Sequence, residues 1–326
     1  MRTVCVLLSF SLLLCSSSAA QKLKKFQPLP AVMENSANPL TEDRIRLGRM
    51  LYFDPRLSLS KAVSCNSCHP LDRYGMDGTA VSTGHRQQKG GRNAPTVYNA
   101  AGHASQFWDG RAKDVEEQAK GPILNPIEMA MPSEAAVLEV LRGIPGYVEA
   151  FRKAFPGEAE PLTYDNVGKA IGAFERKLVT PARWDRYLAG EKDALTPAEK
   201  KGFDRFYAVG CVDCHQGAYA GGGEAYKILG IEKTYEPNKD MGRFNVTKVG
   251  TDRYAFKVPS LRNIEKTGPY LHDGTIATLE ECVRLMGTYQ LGKRLSDGEV
   301  TSIVTWLKSL TGELPAEYIR APALPK

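Results

Sequence analysis

The chain has 326 residues, 42% of them hydrophobic and 25% charged, which excludes a disordered or low-complexity polypeptide and leaves material for two apolar cores. Its formal charge of +6 is a modest excess without a basic stripe, so nucleic acid is excluded as an expected partner.

The first twenty residues, "MRTVCVLLSFSLLLCSSSAA", carry a basic Arg2, an apolar run from Val4 to Leu14 and a small-x-small close at Ser18, Ala19 and Ala20. That order predicts a secretory signal peptide over 1–20, cut after Ala20. The run is short for a bilayer span, and no second apolar span follows, so a mature protein without a membrane span is expected. Cys5 and Cys15 leave with the signal. "KLKK" at Lys22 to Lys25 reads as a basic arm.

Next comes "LTEDRIRLGRMLYF", a helix with Thr41 as its cap, followed by "SCNSCH" at Ser64 to His69. Farther on, "LTPAEKKGFDRFY", with Thr196 as cap and Pro197 in its first turn, precedes "GCVDCH" at Gly210 to His215. In each copy a glycine, Gly48 or Gly202, is followed four and five residues on by two aromatics, Tyr52 and Phe53 or Phe206 and Tyr207. The segments form a weak internal repeat.

Two Cys-x-x-Cys-His units in a chain with 7 Cys and 5 His are not accidental. The unit is the attachment signature of c-type haem: two thiols become thioethers to the porphyrin, and the adjacent histidine reaches the iron. A redox dithiol or a four-Cys zinc site would not require histidine directly after the second cysteine. Cys282 is left over and reads as a buried structural thiol. Haem attachment after export places the protein in the periplasm.

Between the motifs, Thr83 to Pro95 is a polar, Gly-rich loop carrying His85. Ser133 opens a helix with Val137, Leu138 and Leu141 on one face, and Val167, Ile171, Phe174 and Leu178 form a second stripe. Ala218 to Lys227 reads as another loop. Thr278 and Glu281 can box the segment "TLEECVRLMG", which sets Cys282, Leu285 and Met286 on one face, and Ser296 with Glu299 boxes a last helix bearing Val300, Ile303, Val304 and Leu307. No run alternates like a strand. The fold class expected is mainly α, with two cytochrome c-like domains, long loops and one covalent haem each. The division is signal peptide 1–20, N-terminal haem domain 21–180, C-terminal haem domain 181–315 and tail 316–326. Met286 and Met241 compete as a thioether ligand; by pattern alone Met286 is a core residue.

From about Leu40 to Leu310 the chain resembles the bacterial dihaem cytochrome c peroxidases, in "GRNAPTVYNA", "FWDGRA", "EEQAKGPILNPIEM", "MGRFNVT", "VPSLRNIEKTGPYLHDG" and "LEECVRLMG" as well as in both haem motifs. The resemblance implies that Cys65, Cys68 and His69 hold a peroxidatic haem with His85 as displaceable sixth ligand. It makes Cys211, Cys214, His215 and Met286 the site of a high-potential electron-transfer haem. It puts Trp108 between the haems, and Gln118 and Glu128 beside the peroxidatic iron. Asn93, with the carbonyls of Thr267 and Pro269, matches an inter-haem calcium site, as hard oxygen donors would suit. His272 would support a propionate or the inter-haem loop, and His103 would lie at the surface.

The implied activity is reduction of hydrogen peroxide with electrons from a small soluble donor, a monohaem cytochrome c or a cupredoxin. Relatives are commonly homodimers, which extends weakly to this chain. The alternatives are a dihaem oxidase of protein side chains or organic substrates, and a non-catalytic electron carrier. Met286 argues against the first, because side-chain-oxidising relatives place Tyr there. Glu128 and Gln118 argue against the second, because a carrier needs no acid/base group at iron.

Overall fold

The computed structural model describes residues 21–223, 226–228 and 240–326, so the expected signal peptide lies outside the described residues. Six helices position the site: α1 (Glu42–Phe53), α2 (Val115–Leu124), α3 (Tyr164–Glu175), α4 (Pro197–Val209), α5 (Leu279–Leu285) and α6 (Asp297–Lys308).

The Thr41 hydroxyl accepts the Arg44 N–H at 3.2 Å and starts α1. Its buried face, with Leu47, Leu51 and Tyr52, packs against α3. Gly48 is where the helices meet: a Cβ there would stand 1.8 Å from the Ala170 carbonyl oxygen. One turn on, Tyr52 meets Phe174 with ring centroids 5.4 Å apart.

The second copy repeats this contact. Thr196 and Glu199 close a reciprocal box at the start of α4, and α4 packs on α6. A Cβ on Gly202 would come within 2.1 Å of the Ser302 carbonyl oxygen, and one turn on Phe206 meets Trp306 at 4.4 Å. The glycine-plus-aromatic spacing is thus a helix crossing with its lock, made twice. A Cys-x-x-Cys-His motif follows each first helix.

Two apolar clusters result. One gathers Leu51, Tyr52, Ile123, Leu141, Phe151, Ile171 and Phe174; the other gathers Trp184, Phe203, Phe206, Val300, Ile303, Trp306 and Leu307. The buried residues of the first run from Ile45 to Leu178, and those of the second, apart from Phe26, from Trp184 to Leu310. The termini cross that division. Phe26 lies edge-on to Trp184 at 5.5 Å in the second cluster, while Tyr318 stacks on Phe174 at 5.1 Å in the first. Arg56 also donates to the Pro325 carbonyl at 3.0 Å. The basic arm is docked through exposed ion pairs, Lys22 to Asp204 at 2.5 Å and Lys25 to Asp213 at 3.7 Å, each worth little in stability.

Two short strands were not expected. β1 (Tyr226–Ile228) and β2 (Ala255–Lys257) pair antiparallel with Lys227 opposite Phe256. Three residues are too few to show an alternation, and the expected loop Ala218–Lys227 runs into this ribbon. Among the described residues no helix is long and apolar enough to cross a membrane.

Candidate active site

Both Cys-x-x-Cys-His motifs are tight turns that present the histidine in the same way. In the first, Cys65–Cys68 is one helical turn closed at Ser64 and Ser67, and the His69 N–H donates to the Cys65 carbonyl at 2.9 Å. In the second, Cys211–Asp213 turns so that the His215 N–H donates to the Cys211 carbonyl at 3.0 Å. Each imidazole Nδ1 then lies 3.1 Å from a carbonyl just downstream, Gly75 for His69 and Ala220 for His215. A carbonyl partner selects the Nδ1–H tautomer and leaves Nε2 with a free lone pair. Burial pushes both rings below the ordinary histidine range, His215 to about 4. Neutral imidazole with a bare Nε2 is the form that binds iron.

The thiols behave differently from a redox pair. Burial pushes Cys65 and Cys68 up, and Cys211 to about 12, so they lack the thiolate character of an exchanging dithiol. The pairs also stay apart, Cys65 against the first cluster and Cys211 against the second, where a four-Cys zinc site would need them together. The donor set fits two c-type haems. Tyr52 ties the α1 helix to the first motif by donating to the His69 carbonyl at 2.7 Å.

His85 and Glu128 stand on loops that hold each other. The His85 N–H donates to the carbonyls of Ile127 at 2.9 Å and Glu128 at 2.8 Å. The buried His85 Nδ1 has no hydrogen-bond partner among the described residues. Glu128 follows α2 in a turn organised by Asn125, whose Oδ1 accepts the Ile127 N–H at 3.1 Å and whose Nδ2 donates to Glu128 Oε1 at 2.8 Å. Burial raises the Glu128 carboxyl above its ordinary range, against the opposing pull of Arg111 and the Asn125 bond. The Glu128 charge is felt at both Cys65 and Cys68. Gln118 is half-buried on α2, nearly two turns before the helix ends at Leu124. Asn125 was missed in the sequence; its only signal was the turn-forming "NPIE".

Met286 stands where α5 passes into a π-helical turn, Met286–Gln290, a widening that occurs frequently at functional sites. The Thr278 hydroxyl caps α5 by accepting the Glu281 N–H at 3.2 Å. Cys282 and Leu285 pack on the second cluster, and burial pushes the Cys282 thiol to about 12. Met241 occupies a separate loop beside β2, where its carbonyl accepts the Tyr254 N–H at 2.9 Å.

Between the two halves, Trp108 donates its indole N–H to the Asn93 carbonyl at 3.0 Å and lies edge-on to His272 at 6.4 Å. His272 in turn stacks on Phe256 at 4.0 Å, and its carbonyl accepts the Asn93 N–H at 2.7 Å. Arg92 braces this ground by bonding Asp109 at 2.6 Å and Asp240 at 2.6 Å. Asn93 is buried and donates its amide to the Thr79 and Ala80 carbonyls. Thr267 and Pro269 lie a few residues before His272. The expected surface position of His103 is corrected: its ring packs edge-on to Tyr219 at 5.4 Å, and its Nε2 is buried.

Similarity to known proteins follows the same lines. A profile of the family described as di-haem cytochrome c peroxidase matches residues 42–193. The chain is 46% identical to cytochrome c551 peroxidase of Pseudomonas aeruginosa over 98% of its length and 94% of the relative's. It is 46% identical to cytochrome c551 peroxidase of Nitrosomonas europaea over 99% of its length and 95% of the relative's. Among solved structures, a MauG-like protein associated with microbial copper homeostasis superposes with a TM-score of 0.77 at 30% identity, covering 90% of this chain and 97% of that one.

Proposed function

This chain belongs to the family of di-haem cytochrome c peroxidases, and on that premise we propose a division of labour in which peroxide is reduced at the His69 site with electrons stored at the His215 site. The enzyme is an oxidoreductase with two haems, acting on hydrogen peroxide and drawing electrons from a donor of the cytochrome c type. Two electrons and two protons convert one peroxide to two waters. The haems, when bound, supply the electron storage and the redox power for O–O cleavage.

The protein's own side chains do the rest. Cys65 and Cys68 would anchor one haem and Cys211 and Cys214 the other, each iron taking the free Nε2 of His69 or His215. Glu128 takes the proton from the near oxygen of peroxide and returns it to the departing oxygen, with Gln118 orienting the substrate. His85 would serve as a displaceable second ligand of the first haem, and Met286 as the second ligand of the other, where a thioether would favour the reduced state. Trp108 sits on the route between them, and Asn93 Oδ1 with the Thr267 and Pro269 carbonyls would hold calcium beside it.

The observation that carries this reading is Glu128: a half-buried carboxyl with a raised pKa, held by Asn125 on the loop that also grips His85. A mere electron carrier has no use for it. Peroxide-dependent oxidation of reduced cytochrome c by the purified holoenzyme is the test. Turnover supports the reading; a holoprotein with both haems and no turnover sinks it. We place the protein in the periplasm, with a monohaem cytochrome c or a cupredoxin as donor and a homodimer as the working assembly.

A further inference from the structure

Lys257 is 8% exposed, and among the described residues its ammonium meets only the Ser105 carbonyl, at 2.7 Å. An ammonium buried without an anion costs several kcal/mol, on the order of that for any unpaired buried charge. Burial alone lowers its pKa to about 8, with no carboxylate opposing the shift. Close by is a second unmet group. His103 Nε2 is buried and unpartnered, and Lys257 is near enough to depress the ring further.

Both groups border the His215 motif. The His103 ring lies against Tyr219 and against Gly222, where a Cβ would stand 2.4 Å from it. Those residues follow directly on His215, whose Nδ1 is fixed by Ala220. From the other side, the Lys257 N–H donates to the Trp108 carbonyl at 2.8 Å. A buried ammonium and a buried, unpartnered imidazole nitrogen, on ground shared by the His215 loop and the Trp108 loop, would both be met by one anionic oxygen once Nε2 carries the ring proton.

We propose that Lys257 and His103 form the carboxylate-binding corner of the His215–Met286 haem, holding one of its propionates on the side that faces Trp108. This rests on the two-haem reading above. The haem carries carboxylates of its own, and a propionate would give the ammonium its counter-ion and His103 its acceptor. The corner fixes the haem edge against the backbone of Trp108, and its positive charge favours the reduced state of that haem. Lys257 and His103 are positioning residues; neither touches peroxide.

The test is a potentiometric titration of the holoenzyme, following each haem by its own spectrum, in wild type, Lys257→Met and Lys257→Arg. Losing the charge should make the Met286 haem harder to reduce by about tenfold in its redox equilibrium, about 59 mV for one electron. The His69 haem should not move, and Lys257→Arg should restore the wild-type value. Unchanged potentials in Lys257→Met, or a shift confined to the His69 haem, would overturn the assignment. Should Lys257→Met fail to assemble, His103→Leu against His103→Gln reads the second donor: a lowered potential in Leu that Gln restores supports the corner, and equal potentials refute it. Failure of the peroxidase reading shows instead as absent turnover in wild type, a separate measurement.

Discussion

In the half built on α4 and α6, the proposed second haem ligand, Met286, stands at the end of a capped helix and at the start of a π-turn. In the half built on α1 and α3, its counterpart His85 begins a three-residue turn in which Arg86 and Gln87 both take left-handed φ, 54° and 61°. The proximal histidines are held by the same kind of bond in both halves, 3.1 Å to a downstream carbonyl. What differs is the proposed second ligand. A ligand on a helix is fixed by the helix; a ligand on a strained turn, held by backbone bonds to a neighbouring loop, can be released by moving that loop. On the proposed division of labour, one repeat unit used twice would yield an electron store or a reaction site according to the second ligand each half offers.

The largest effect should come from removing the group that only the first half has. Glu128→Gln should keep both haems and slow peroxide turnover by roughly 10² to 10⁴, the usual contribution of a positioned acid/base group. Steady-state rates with reduced cytochrome c measure it, and an unchanged rate would make the two halves alike in chemistry.

Changing the ligand of the other half should alter its potential and leave peroxide binding alone. Met286→His should lower the second haem's potential by at least about 0.1 V, within the roughly 0.8 V that axial ligands span, and abolish its thioether band. Loss of that band in Met241→Leu instead would transfer the ligand role to Met241.

The shared part of the two halves is tested at the helix crossings. Gly48→Ala and Gly202→Ala each force a methyl group onto a carbonyl, and each should destabilise its own half by about 1–3 kcal/mol in denaturant unfolding. A neutral result at either site would mean that the crossing is looser than its twin.

The smallest effect concerns pH. Burial raises the Glu128 carboxyl, so its ionised, proton-accepting form is present above the folded pKa and kcat/KM falls as pH drops through it. The Asn125 hydrogen bond favours the ionised form, so Asn125→Ala should move that acid limb upward by less than about one unit. A limb that stays put or moves down would detach Asn125 from Glu128.

Much of this was legible in the sequence because it lies in local patterns. The Thr41 and Thr196 caps, the 3.6-residue stripes and the two Cys-x-x-Cys-His units each depend on neighbours a few residues away. Gly48 and Gly202 could be marked by spacing, but not their partners Ala170 and Ser302, which lie 122 and 100 residues on. The same distance hid the burial of His103, set by Tyr219 and Gly222, and the docking of Phe26 and Tyr318 on the opposite halves. Asn125 was hidden for another reason: an Asn before Pro reads as a turn whether or not its amide holds a carboxylate.

The division of labour is tested most directly by one stopped-flow experiment. Enzyme with only the Met286 haem reduced is mixed with peroxide, both haems are followed by their spectra, and fully oxidised enzyme is run alongside. The account predicts that the half-reduced enzyme consumes peroxide and that the Met286 haem is reoxidised within the same turnover, while the oxidised enzyme, with His85 in place, lags. Equal rates from both starting states, with the Met286 haem still reduced at the end, would contradict it.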